Sequence, residues 1–185
     1  MARKVSLVVV CEDILHGTFF RAFLYRRGFT RHQLRILPAP PGAGDAKRHV
    51  CETLRRELTS LRRSSRRSVG VIFVVDADNL PVGDRLRWVQ DACRTSGTAP
   101  PADDEAVFGI VPKWEIENWL AYLRGEPVDE QFNGYEKYRR CESLIYPLVG
   151  KLSDMCDEQQ LPDAPPSLVK ACGVYSRFKR WRRNT

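Results

Sequence analysis

Two unbroken apolar runs rich in β-branched residues, 5–11 (VSLVVVC) and 69–75 (VGVIFVV), constrain this chain most, and each is closed abruptly by acid. A strand with one wet face alternates polar and apolar residues. A run without alternation belongs to a strand buried on both faces, as in a parallel sheet covered by helices. Elsewhere the apolar residues recur at helical spacing. Phe19, Phe20, Phe23 and Leu24 do so within 17–28, Val50, Leu54, Leu58 and Leu61 within 46–61, and Ile116, Trp119, Leu120 and Leu123 within 115–123. A short strand at 33–37, a helix at 84–96 and a strand at 106–111 complete the series. Strands alternating with helices predict βαβ crossovers, hence an α/β fold with a mostly parallel sheet flanked by helices.

Beyond Gly125 the pattern changes to a loop and helices at 141–159 and from 167 onward. The expected organisation is an α/β domain over residues 1–124 with a helical C-terminal extension, 125–185, packed on it. At 185 residues and 43% hydrophobic content the chain can bury a core without disulfide or structural metal, and wholesale disorder is excluded. The longest apolar run falls far short of the ~20 residues of a membrane helix, and no signal peptide precedes it, so a cytoplasmic protein without membrane contact is expected. The six cysteines contain no CxxC pair and show no zinc-type spacing with His16, His32 or His49. They read as reduced, mostly structural thiols. The net charge of +7 favours a polyanionic partner, nucleic acid first.

Ligands of doubly wound sheets collect outside the carboxyl ends of the strands. Three strands here lead into acid: Glu12-Asp13, then Asp76 and Asp78, then Glu115 and Glu117 in KWEIENWL. Asp76 and Asp78 are two apart, which in an extended chain puts both carboxylates on one side. Like charges held so close repel unless a cation lies between them, and hard oxygens suit magnesium or manganese. Each acid also has a plainer role open to it. Asp-Ala-Asp-Asn is good turn and capping sequence, and acids near helix starts complement the helix dipole. His16 is a candidate proton shuttle or phosphate contact, or a cap.

The ordered set CEDILHGTFFRAFLYRRG (11–28), VVDADN (74–79) and PKWEIENWL (112–120) resembles the TOPRIM fold. It is similar to the TOPRIM domains of the overcoming-lysogenization-defect nucleases and of small bacterial relatives in anti-phage systems. The resemblance covers residues 5–123. It implies that Glu12, Asp76 and Asp78 bind Mg2+ or Mn2+ for phosphodiester chemistry, with Glu115 and Glu117 matching the later acidic pair of the nuclease branch. Asp13 stands where the family usually has glycine, and His16 where nuclease relatives often carry an acid.

The expectation that follows is a metal-dependent nuclease acting on DNA or RNA, with catalytic residues Glu12, Asp76, Asp78 and His16. Basic groups for the nucleic acid are Lys47, Arg62, Arg63, Arg66 and Arg67, together with Lys179, Arg180, Arg182 and Arg183 around Trp181. The alternative is a non-catalytic or conditionally active subunit that docks to an ABC- or SMC-like ATPase; homo-oligomers fit either reading.

Overall fold

The computed structural model describes residues 5–42, 44–64, 68–135, 137 and 142–185. The chain order is β1 (Ser6–Cys11), α1 (Ile14–Arg26), β2 (Leu34–Pro38), α2 (Ala46–Arg63), β3 (Val69–Val74), α3 (Val82–Thr95), β4 (Val107–Ile110), α4 (Ile116–Leu123), α5 (Glu142–Glu158) and α6 (Pro166–Arg183). All four strands pair in parallel in the order β2-β1-β3-β4, with Val9 of β1 opposite Ile36 of β2 and Ile72 of β3. This is the α/β architecture that the apolar runs predict.

The two apolar runs form the central strands because both of their faces are covered. Leu7, Val9, Cys11, Ile72, Val74, Phe108 and Ile110 face one core, which they share with α1, α4, α5 and α6. The intervening Val8, Val10, Val71, Phe73 and Val107 face a second core under α2 and α3. Period two along the strand thus splits each run between two helix layers. The C-terminal helices belong to the first core: Ile145, Val149 and Leu152 of α5 and Leu168, Tyr175 and Phe178 of α6 are buried there with Phe19, Phe23 and Trp119. Trp181 also packs inward against Phe108 and Phe178, and its ring leaves no room for a side chain at Gly70.

The strand order fixes where a ligand can sit. From β1 the chain moves outward to β2 through α1, then returns through α2, on the opposite face, to β3 on the other side of β1. Adjacent β1 and β3 therefore flank the point where winding direction reverses, and the crevice outside their carboxyl ends is the usual ligand position in such sheets. Glu12 follows β1 directly, and Asp76 and Asp78 follow β3.

One sequence expectation is corrected. Cys156 of α5 and Cys172 of α6 are joined as a disulfide, their Cα atoms 5.4 Å apart, where reduced thiols were expected. Their spacing in the sequence carries no pairing signal; the packing of α5 against α6 brings them together. Cys11, Cys51 and Cys93 are free, and Cys141 lies outside the described residues.

Candidate functional site

Glu12 leaves β1 with its carboxylate nearly enclosed, 9% exposed, and turned toward β3. The backbone N–H of Asp76 donates to Glu12 Oε1 at 2.6 Å, tying the ends of the two central strands together. The other oxygen, Oε2, accepts from Lys47 Nζ at 2.9 Å. The same ammonium lies 3.3 and 3.1 Å from the two oxygens of Asp78. Carboxylates from two strand ends thus converge on one positive centre, supplied by the chain itself.

Asp78 does not occupy the extended conformation that would line its carboxylate up with that of Asp76. Its φ of +50° places it in the left-handed region, where a non-glycine residue is strained. The surrounding structure holds it there. Asp78 bridges Trp114, itself at φ +62°, and Lys113 Nζ donates to the carbonyls of Asp78 at a short 2.6 Å and of Leu80 at 3.0 Å. Arg85, buried in α3, donates to Asp78 Oδ2 at 3.0 Å and to the Ala77 carbonyl at 3.3 Å, leaving its Nε without a partner among the described residues. Asp78 is the most open of the three acids, at 44% exposed.

Asp76 is reached from inside. His16, in the first turn of α1 and 0% exposed, lies with Nε2 3.0 Å from Asp76 Oδ1. Its Nδ1 is 3.2 Å from Asp13 Oδ1, a charge contact without hydrogen-bond alignment. Asp13 caps α1 by accepting from the His16 backbone N–H at 2.8 Å. Burial opposes the imidazolium, but Asp76 and Asp13 outweigh it and hold the His16 pKa well above its ordinary value. Burial, then the charge of Asp76, raises the Glu12 carboxyl, while Lys47 pulls it back. For Lys47 the balance runs the other way: desolvation is overcome by Glu12 and Asp78, and the ammonium is held more firmly charged than usual.

The two glutamates of α4 part company. Glu115, the N-cap, pairs with Lys137. Glu117 is largely enclosed; burial, followed by the charges of Asp76 and Asp13, raises its carboxyl, placing it in the field of the acidic cluster. Lys137 Nζ stands 3.7 Å from it.

Comparison with family models, characterised proteins and solved structures finds no match to this chain. The site's own chemistry therefore carries the reading. Among the described residues no three His, Cys, Asp or Glu side chains stand arranged as a finished metal site. What the described residues do bring together is two carboxylates, Glu12 and Asp78, from adjacent strand ends on the Lys47 ammonium, and hard oxygens are the donor type that magnesium-class ions take.

Three of the other basic candidates, Arg62, Lys179 and Arg182, are engaged elsewhere in the fold. Arg62 grips Glu105 with two nitrogens, at 2.6 and 2.8 Å, and the carbonyls of Ala99 and Pro100. Lys179 pairs with Asp157, and Arg182 donates to the Arg27 carbonyl while lying over the Phe29 ring. Arg63, Arg180 and Arg183 are exposed, and Arg66 and Arg67 lie outside the described residues. Arg62 and Trp181 border one cleft with Val69 and Ala106, at the amino ends of β3 and β4. That rim is opposite the acids. Sequence reasoning missed Arg85 and Lys113, which sit in ordinary helix and loop positions; a separation of seven from Asp78, across the start of α3, gives no hint that Arg85 folds back onto the acidic turn.

Proposed function

We propose that this chain is a metal-dependent phosphodiester hydrolase of TOPRIM type acting on nucleic acid, an effector suited to anti-phage defence. The observation that carries the reading is the meeting of the Glu12 and Asp78 carboxylates on the Lys47 ammonium at the β1–β3 crevice, with Asp76 beside them, its amide on Glu12 and its carboxylate turned inward to His16. A magnesium or manganese ion would be held by Glu12 and Asp78, with Asp76 adjacent, and would supply Lewis-acid polarisation of a phosphate and a water of lowered pKa. The protein's part is orientation. His16 fixes Asp76 from the interior, the Asp76 amide fixes Glu12, and Lys113 with Arg85 fixes the strained turn bearing Asp78. Lys47 and Lys113 add positive charge on the side where a phosphate backbone enters.

The test is incubation of plasmid and tRNA with the protein in magnesium, in manganese and in EDTA. Asp78→Asn, a half-exposed and nearly isosteric change, is expected to lower metal-dependent cleavage at least a hundredfold while circular dichroism shows the fold retained. Cleavage that survives both Asp78→Asn and EDTA rejects the reading.

One observation favours a second reading. Lys47 and Arg85 already neutralise Glu12 and Asp78 within the chain. A site so balanced suits a conditionally active subunit under the control of an ABC- or SMC-like ATPase. Protein inert alone but cutting once a co-purified ATPase is added supports this second reading.

A further inference from the structure

We propose that Lys47 is the resident cation of the Glu12–Asp78 pair, that it competes with the divalent ion for the same oxygens, and that entry of the ion displaces its ammonium. The inference rests on the metal-dependent reading above and adds a control to that site. Of the two cations at the acids, only one is exchangeable. Arg85 is 7% exposed and anchored by the Ala77 carbonyl as well as by Asp78, so it stays. Lys47 emerges from the first turn of α2, where Asp45 caps the Arg48 N–H at 3.1 Å and fixes the backbone. Its side chain is a flexible four-carbon stem, 22% exposed, with a path to solvent.

The acids are built to survive the exchange. Glu12 keeps Oε1 on the Asp76 amide at 2.6 Å when Oε2 is released, and Asp78 keeps Oδ2 on Arg85 at 3.0 Å. The carboxylates therefore remain in place while their shared positive partner changes. An ion that takes this place must first break the Lys47 contacts, so apparent metal affinity is lowered by the strength of those contacts. A displaced ammonium stands at the rim of the crevice, ready to meet a phosphate oxygen. Metal and polyanion binding are then mutually reinforcing, because each favours the displaced lysine.

The experiment titrates full-length protein with Mn2+ and follows the free-ion signal by electron paramagnetic resonance, with no nucleic acid present. Lys47→Met and Lys47→Gln are expected to tighten Mn2+ binding about tenfold, the size of one part-buried ion pair, and Lys47→Arg to leave it as weak as in the wild type. Circular dichroism confirms folding, and the Gln variant serves if the Met variant is unfolded. Wild-type binding that Asp78→Asn abolishes but Lys47→Met and Lys47→Gln leave unchanged or weaken overturns the role of Lys47 and leaves the metal reading standing. Absence of Mn2+ binding in wild type and Lys47 variants alike overturns both.

Discussion

His16 shows how one enclosed side chain sets the behaviour of an exposed one. It touches Asp76 at 3.0 Å from within the core, where no substrate reaches. It is therefore a positioning residue for Asp76. Removing it leaves a buried carboxylate oxygen without its inner partner, and His16→Ala is expected to cost about 2–3 kcal/mol in urea unfolding. The pH dependence has a definite sign. The folded-state pKa lies well above the ordinary histidine value, so this contribution is complete below the ordinary value and is lost as pH rises through the raised one. The stability gap between wild type and His16→Gln should therefore narrow as the solution is made alkaline, which urea midpoints across a pH series will read. A gap that widens instead contradicts the charged-imidazolium assignment. Cys11, at the end of β1, makes the opposite point. Burial first, then Asp13 and Glu12, push its thiol up to about 12 against the lowering pull of His16. Despite its position beside the acids it is expected to resist iodoacetamide at pH ~8, where an unperturbed thiol with a pKa near 8.5 reacts. Peptide mass spectrometry before and after unfolding measures the difference.

At the level of elements, what could be read in advance was whatever repeats along the chain. The unbroken runs at 5–11 and 69–75 specify central strands because parallel strands need apolar residues on both faces, and the stripes at 19–24, 50–58 and 116–123 specify the helices that cover them. The acidic ends of β1 and β3 were legible for the same reason, since strand order brings Glu12 beside Asp76. The interior of the site was not. The left-handed turn at Asp78 depends on Lys113 and Trp114, thirty-odd residues downstream, and Lys47 reaches the site from a helix on the opposite face of the sheet from α1. Contacts made across such distances leave no periodic trace. Arg27 is another example: it ends α1 with one guanidinium nitrogen on Tyr175, one on Asp157 and one, at 2.9 Å, on Ser153, while its plane lies over the Tyr175 ring. It joins α1 to both C-terminal helices, and its desolvation is outweighed by these partners, so it stays charged. Arg27→Ala is expected to cost about 1–3 kcal/mol and to speed amide exchange in α5 and α6 before it affects the sheet. Uniform loss of protection would show that the arginine serves the whole fold rather than this joint.

Across the whole molecule, charge and packing divide between the two ends of the sheet. The carboxyl end holds the acids with Lys47, Arg85 and Lys113 among them. The amino end holds Arg62 and the turn of α6 at Trp181. A nucleic acid tracked by both would have to wrap the sheet from rim to rim. The core is divided differently, by face. The face bearing Ile72, Phe108 and Ile110 is closed by α1, α4, α5 and α6 together, so the change in sequence pattern near residue 125 falls inside one apolar cluster. A chain ending at residue 124 would bare Phe19, Phe23, Phe108 and Trp119 to water. Exposing even one such aromatic side chain costs about 1.5–3 kcal/mol, and the total net stability of a domain this size is only about 5–15 kcal/mol. The 1–124 fragment is therefore expected to lack a cooperative thermal transition and to bind a hydrophobic dye such as ANS. The disulfide refines the same prediction. It closes a short loop between Cys156 and Cys172, separated by 16 in sequence, which in the chain-entropy picture is worth about 3 kcal/mol. Reduction of the intact chain should lower the melting temperature and leave one cooperative transition, because α5 stays in the core through Ile145, Val149 and Leu152, and α6 through Tyr175 against Phe23, without the bond. If instead the reduced chain melts in two steps, or the fragment melts sharply alone, the C-terminal helices form a unit of their own and the apolar cluster they share with α1 and α4 is not one cooperative core.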